Sequence, residues 1–433
     1  MASFRHSRMQ DSASAGQDAV IKHDSMRVAI VCGHFMPEVG YQEVWIARTL
    51  ARLGARVRVV TSVAVSSSVR WLRRAPYPAG RSWVPEGYEI VRLPVAFRFR
   101  SAVLSRGVAE VVAEWSPELI CLLGIGKVFG TRVLTEPALR DVPIVCFFSE
   151  LDEYRRHHSL PARLVSWLQD RGLELFKESL YRRAIRRAQL LVCNSPGTLQ
   201  WLHARCRTTE EREALTAKAR VLTLGYDSRL FFFDATEREQ TRQALGVAPG
   251  DVVLVTVTRV VPQKGLERIV DAVGALQHAG LPVWYLLIGG MGNAYERELR
   301  RRMQAQPRPE RFQLLPFGQA EEVRQLLAGA DLGIWMQIAI SAHEAMGTGL
   351  PVLLPRRFSL SHLLTDGVTG WYWDEPEGFE EALAQAVGQL AQLSEQERVR
   401  QRRQLAQENA QRFAYEAILH QIFQELGIPP WWR

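Results

Sequence analysis

Little in this chain points to cross-links, metals or a bilayer. Its five cysteines (Cys32, Cys121, Cys146, Cys193 and Cys206) form no CxxC pair, and three of them sit in apolar strand-like runs, VAIVC, LICLL and LLVC. They read as reduced, buried, small hydrophobic side chains of a cytosolic protein. The longest apolar runs, around Leu119 to Ile125 and Val252 to Val257, fall short of the roughly 18 residues that a membrane-spanning helix needs. A soluble or peripheral chain is expected. The opening stretch, MASFRHSRMQDSASAGQDAVIKHDS, lacks the apolar core of a signal peptide and any hydrophobic periodicity, so residues 1–25 are expected to form a disordered tail. Met26, just before the first convincing strand, is an alternative translation start.

Catalytic signatures of several classes are missing too. There is no GxSxG elbow, no DxD carboxylate pair and no cluster with metal-ligand spacing, so metal-dependent chemistry is not indicated and no metal is expected. The loop after the first strand is not GxGxxG, which leaves a nicotinamide-dependent oxidoreductase poorly supported. Neither zinc-finger spacing nor a helix-turn-helix pattern is present, and no nucleic-acid partner is expected.

What is present is a large, apolar, basic chain. With 433 residues, 47% hydrophobic and 23% charged, it is too long for one ordinary domain and too apolar for disorder. Fifty-four Lys plus Arg against 46 Asp plus Glu give a net charge of +8. Most of the cations are arginine, which suits phosphate or carboxylate partners.

RVAIVCGH, a loop with Pro37 and Gly40, a helical pattern through Ala47, Leu50 and Leu53, and the strand VRVVTS form a βαβ unit. Further strands are expected at YEIVRL, ELICLLG, VPIVCFF and QLLVCNS. After a junction near Asp227 to Asp234 a second series begins. It runs DVVLVTVTR, VWYLLIGG, FQLLPF, DLGIWM and LPVLLP, with helices between. The expectation is an α/β chain of two Rossmann-like domains facing across a cleft, residues 26–230 and 231–407. A C-terminal helix of about residues 408–433 returns to the first domain.

Four segments are candidates for chemistry. In TRVVPQKG, Arg259 and Lys264 emerge at the carboxyl end of a strand, where an Arg fork and a Lys charge suit a diphosphate; two solvated loop cations is the competing reading. In WMQIAISAHEAMGTGLP, a helix starting near Ser341 points its N–H groups at the cleft. Glu344 in its first turn either accepts the hydroxyls of a ribose or merely complements the helix dipole. His343 reads as a packing residue. Gly40 and Tyr41 in GHFMPEVGYQE, and Gly290 in GGMGNA, lie in glycine loops at strand ends, positions that match a ligand loop, although a plain turn by itself accounts for the glycines. From Tyr154 to Arg187, arginines mixed with Leu, Val, Trp and Phe suggest either a surface for anionic lipid or phosphorylated acceptor, or an amphipathic helix packed on its own sheet.

Taken together, RVAIVCGHFMPEVGYQEVWIARTLARLGARVRVVTS, LTLGYDSRLF, VTRVVPQKGLERIVDAV, ADLGIW, HEAMGTGLPVLLP and DGVTGWYW, in this order, resemble the retaining glycosyltransferases of the GT-B fold, family 4 (the glycosyl transferases group 1 domain). The resemblance spans nearly all of Met26 to Leu426. It implies transfer of a sugar from a nucleotide sugar, UDP- or GDP-linked, to a hydroxyl of a glycan or lipid-linked acceptor with retained configuration. It also implies a place in cell-surface polysaccharide or glycolipid synthesis, in the cytoplasm or peripheral on the inner face of an anionic membrane. By this resemblance Arg259 and Lys264 contact the donor diphosphate, Glu344 holds the ribose, and Gly40 with Tyr41 lies near the donor phosphates. Two positions depart from the pattern. Met336 stands where a first glutamate is usual, and Ser149, followed by Glu150, stands where a histidine is usual; Glu150 then becomes a catalytic candidate. These departures support an alternative, a catalytically weakened relative that binds nucleotide or glycan as a partner protein.

Overall fold

A computed structural model describes residues 25–66, 69, 72–99, 102–149 and 176–429. Apart from Ser25, the expected tail lies outside the described residues, as do Glu150 and most of the arginine-rich segment after Tyr154.

The first domain is built on β1 (Arg27–Cys32), β2 (Arg56–Ser62), β3 (Gly80–Trp83) and β4 (Glu89–Leu93), with a small hairpin of β5 (Phe97–Phe99) and β6 (Ala102–Leu104) beside them. Strands β7 (Leu119–Leu123), β8 (Ile144–Phe148), β9 (Leu190–Cys193) and β10 (Ala219–Val221) complete it. Their spatial order is β10-β9-β8-β7-β1-β2-β4-β3, parallel throughout except for β3. The second domain is a six-stranded parallel sheet of β11 (Val252–Val257), β12 (Val283–Gly290), β13 (Phe312–Pro316), β14 (Leu332–Ile334), β15 (Val352–Pro355) and β16 (Gly370–Trp373). Its order is β13-β12-β11-β14-β15-β16.

The apolar runs seen in the sequence are strands covered on both faces, and their alternation sorts residues between two cores. In β1, Ala29 and Val31 join one cluster with Ile120 and Leu122, while Val28, Ile30 and Cys32 join the opposite one with Leu119 and Cys121. In β11 the same split puts Val252 and Leu254 on one side and Val253 and Val255 on the other. All five cysteines are reduced and buried.

The described end of the arginine-rich segment, residues 176–187, is a helix on this scaffold. Leu180, Tyr181, Ala184 and Ile185 enter the core, and Arg187 donates to the carbonyls of Leu139, Arg140 and Val142. In this stretch the packed-helix reading holds.

The C-terminal region differs from the single returning helix expected over about residues 408–433. Helix Glu395–Phe413 belongs to the second domain, and a separate helix, Tyr415–Glu425, lies on the first. No glycine or proline marks the break. Ala414 adopts an extended conformation (φ −65°, ψ 141°) because the chain there pairs with the outgoing linker. Tyr226 N–H donates to Phe413 O (3.1 Å) and Tyr415 N–H to Tyr226 O (3.1 Å). Tertiary pairing thus overrides a locally strong helix preference. Beyond the break Tyr415, Ile418, Leu419, Ile422 and Phe423 form one apolar stripe that closes the first domain's core.

Candidate functional site

The carboxyl ends of β11 and β12 are tied together by backbone, and the Thr256 hydroxyl at the end of β11 donates to Ile334 O of β14 (2.9 Å). After β11, Thr258 N–H donates to Ile288 O (2.9 Å). Gly289 has φ +124°, and a Cβ there would lie 1.9 Å from Thr258 O, so only glycine allows the two loops to meet. Asn293 Nδ2 donates to Val260 O (2.8 Å) and locks the second loop onto the first.

Out of this joint Arg259 reaches solvent, and Lys264 ends a short 3-10 turn, Pro262–Lys264. Gly265, at φ +58°, then starts helix Leu266–His278. Lys264 is half-buried, and its pKa is lowered first by that burial and then by the like charge of Arg259. The two cations therefore share one small volume. A group of opposite charge placed there relieves both effects.

The helix Ile340–Gly347 starts beside them, at Ile340 and one residue before Ser341. Its N-cap, Ala339, offers no side-chain acceptor to the first-turn N–H groups, which keep their partial positive charge. Ser341 Oγ donates to Val257 O (2.5 Å), and Trp335 Nε1 donates to the same oxygen (3.0 Å). The serine hydroxyl thus pins the helix to the end of β11, a positioning contact.

Because the helix begins at Ile340, Glu344 is its fifth residue and lies just past the first turn, not within it as the sequence suggested. Among the described residues its carboxyl has no hydrogen-bond or ion-pair partner, and burial pushes its pKa from the ordinary 4.5 up to about 8. A carboxyl left in this state gains from any ligand that brings hydroxyl or N–H donors. His343 points the other way. It is buried, its Nε2 pairs with Thr223 Oγ1 (3.1 Å), and burial lowers its pKa to about 4. It packs the junction between the domains.

Three other positions receive structural explanations. A Cβ on Gly40 would press into the Trp45 indole at 2.8 Å, so this glycine lets the loop lie on that ring. Tyr41 is the N-cap of helix Gln42–Arg52, and its side chain packs on the small cluster of Met36, Val65 and Val69. At the end of β12, a Cβ on Gly290 would meet Leu314 at 2.9 Å and the Glu296 carboxylate at 3.1 Å. That carboxylate accepts the N–H groups of Met291 and Gly292 (2.7 Å each), so these donors of the glycine loop already serve a protein anion. Gly289 is the glycine that this corner demands.

Met336 packs against the turn that carries Lys264; its Cγ is 3.7 Å from the place a Cβ would take on Gly265. Ser149 is exposed just past β8. Among the described residues no group of His, Cys, Asp and Glu is placed to hold a metal ion, and no helix is long and apolar enough to cross a membrane.

Sequence reasoning passed over Glu43. It lies in the first turn of helix Gln42–Arg52, and burial raises its pKa against the lowering field of Lys127. The phenol of Tyr415, raised first by its own burial, is raised further by both Glu43 and Glu344. A carboxyl of each domain thus faces one buried ring. The signal was available, since Glu43 follows the same loop as Gly40 and opens a helix at the carboxyl end of β1.

Known proteins with this arrangement are recognisable by sequence and by fold. The profile of the family described as Glycosyl transferases group 1 matches residues 237–412, and that described as Glycosyl transferase 4-like domain matches residues 42–215. The lipopolysaccharide core biosynthesis mannosyltransferase LpsB of Rhizobium meliloti (strain 1021) is 26% identical over 272 residues, 58% of this chain and 75% of that protein. The putative colanic acid biosynthesis glycosyltransferase WcaL of Salmonella typhimurium is 26% identical over 34% of this chain and 38% of its own length. In fold, the crystal structure of Anabaena HepE in complex with UDP superposes with a TM-score of 0.65 at 18% identity, covering 93% of this chain and 100% of that one. Two Rossmann-like domains, each matched by its own profile, and these relatives together place the chain in the group 1, family 4-type glycosyltransferases of the GT-B fold.

Proposed function

We propose that this glycosyltransferase takes its sugar from a UDP- or GDP-linked donor and passes it, with retained anomeric configuration, to a hydroxyl of a glycan or lipid-linked acceptor in lipopolysaccharide or exopolysaccharide synthesis. The single observation that carries the donor reading is the convergence of Arg259, Lys264, the uncapped start of helix Ile340–Gly347 and the unpartnered Glu344 carboxyl at one edge of the second sheet. In this reading the bond between the sugar's anomeric carbon and the diphosphate breaks while a bond to the acceptor oxygen forms on the same face. Charge grows on the departing diphosphate, where the two cations and the helix N-terminus stabilise it. Ionised Glu344 accepts the ribose hydroxyls. Met336 gives the sugar pocket an apolar wall. The names of LpsB and WcaL support the surface-glycan assignment. Exposed Phe97 and Leu104 on the β5–β6 hairpin, near Arg98, support a peripheral contact with the cytoplasmic face of an anionic membrane.

Calorimetric titration with UDP, GDP, ADP, dTDP and CMP tests the donor site. One nucleoside diphosphate is expected to bind, and Arg259→Ala or Lys264→Ala to weaken it and lower transfer by about 10²–10³-fold without moving the melting temperature. Unchanged binding and turnover in both variants sinks the assignment. NMR of the product's anomeric proton decides retention.

A further inference from the structure

Immediately after β1 the chain places His34 at the carboxyl edge of the first sheet, in the other domain from the donor cations. The residue is 5% exposed, and among the described residues neither Nδ1 nor Nε2 has a hydrogen-bond partner. Buried polar groups are nearly always paired, so an orphaned imidazole requires a reason.

Its neighbours supply one. The loop after β7 reads GIGKVFG, and three of its residues adopt the left-handed region: Gly124 (φ +70°), Val128 (φ +70°) and Gly130 (φ +71°). For a β-branched valine this is a strained conformation of the kind found where a loop holds a functional group in place. The loop sets the Lys127 Cβ 3.9 Å from the point where a Cβ would stand on Gly33, the residue before His34. Lys127 is exposed and makes no ion pair among the described residues. Arg98 on β5 donates one nitrogen to Val65 O (3.2 Å).

Both charges act on His34, whose pKa is lowered to about 4, first by burial and then by Lys127 and Arg98. The nearby carboxyls do not neutralise them. Glu43 feels the field of Lys127 without pairing to it, and Glu38 is held by Tyr77 (2.6 Å) and Arg73. The other cation of this corner, Arg92, is committed to the carbonyls of Ser62 and Phe35.

We propose that His34, Lys127 and Arg98 form a subsite for an anionic group, phosphate or carboxylate, carried by the acceptor. The inference rests on the reading under Proposed function that the donor sits at the edge of the second sheet, which leaves the edge of the first sheet to face the acceptor. Both ring nitrogens lie below the surface, so an entering anion has to part the side chains above them; the neutral imidazole then donates one N–H to an anion oxygen, the lysine adds a point charge, and the free part of the arginine fork takes a second oxygen. No bond is made or broken at this subsite. It selects which acceptor enters the cleft and orients it.

Titration of the full chain with glucose 6-phosphate, glucuronate and methyl glucoside tests the subsite, with UDP as a separate arm. The two anionic sugars are expected to bind at least about ten-fold more tightly than methyl glucoside, a difference of about 1.4 kcal/mol. Lys127→Ala and Arg98→Ala should each remove most of that preference and leave UDP affinity and melting temperature unchanged. The tighter of the two anionic sugars tells phosphate from carboxylate. Equal binding of all three sugars overturns the subsite. So does an anion preference that survives Lys127→Ala and disappears in Lys264→Ala, because the anion then sits with the donor cations. Failure of the wild type to bind any nucleoside diphosphate, with Lys127-dependent anion binding intact, overturns the donor reading and leaves the subsite standing.

Discussion

Around Asp331 and along the cleft, this molecule takes charges out of water in two opposite ways. The Asp331 carboxylate is 3% exposed and fully engaged. It accepts from Arg238 Nη2 (2.6 Å), Arg242 Nη1 (2.9 Å) and the N–H of Val253 (2.8 Å). Arg238 reaches on to Glu395 Oε1 (2.6 Å), and Arg402 donates to the carbonyls of Leu327, Ala330 and Thr348. Burial alone would push the Asp331 pKa up, yet Arg238, Arg242 and Arg398 outweigh it and hold the group at about 2. In the cleft, Lys264, Glu344 and His34 are shifted mainly by burial, with no counter-ion or donor among the described residues to offset it. A closed network of this kind joins elements of one domain. An open set of unsatisfied groups is kept by a protein only where something else completes it.

The sharpest way to break this comparison is Asp331→Ala. It leaves three arginines around an empty site and is expected to cost about 3–5 kcal/mol in urea unfolding, with nucleotide affinity per folded molecule unchanged. A variant as stable as the wild type refutes the structural role of the network.

Glu344→Gln probes the open side. A carboxyl whose folded pKa is raised from 4.5 to about 8 stabilises the fold fully below the lower value, and that contribution is lost as pH rises through the higher one. Between about pH 5 and pH 8 the melting temperature of the wild type should therefore fall relative to Glu344→Gln. Parallel curves would mean that the group is not held out of water. The smallest effect belongs to Arg268. It pairs with exposed Glu380 through two bonds of 2.7 Å, and Arg268→Ala should change stability by no more than about 1 kcal/mol.

How much of this was legible depends on the kind of signal. Strands such as VVLVTV and LICLL announce themselves, because a parallel strand covered on both faces must be apolar throughout. Arg259 and Lys264 were legible by position, directly after such a strand. The Asp331 network was not, since the helix bearing Arg238 and Arg242 reads as a polar surface segment. Only its spacing hints otherwise, with arginines four residues apart there and again at Arg398 and Arg402, so that each pair shares one helix face. His34 and Lys127 follow strands just as Arg259 does. They were passed over because what distinguishes them, burial without partners and a left-handed valine, exists only in three dimensions. The break at Ala414 has no local cause at all.

That break also sets an order of events during synthesis. The face of the first domain that contains Val44, Trp45 and Leu50 is closed by Ile418, Leu419, Ile422 and Phe423. Those residues leave the ribosome only after the entire second domain has been made. The first domain to be translated is therefore the last to be finished. A message cut short anywhere before the codon for Tyr415 yields a nascent chain with a gap in its first core, a substrate for chaperones and proteases, however well its second sheet has assembled.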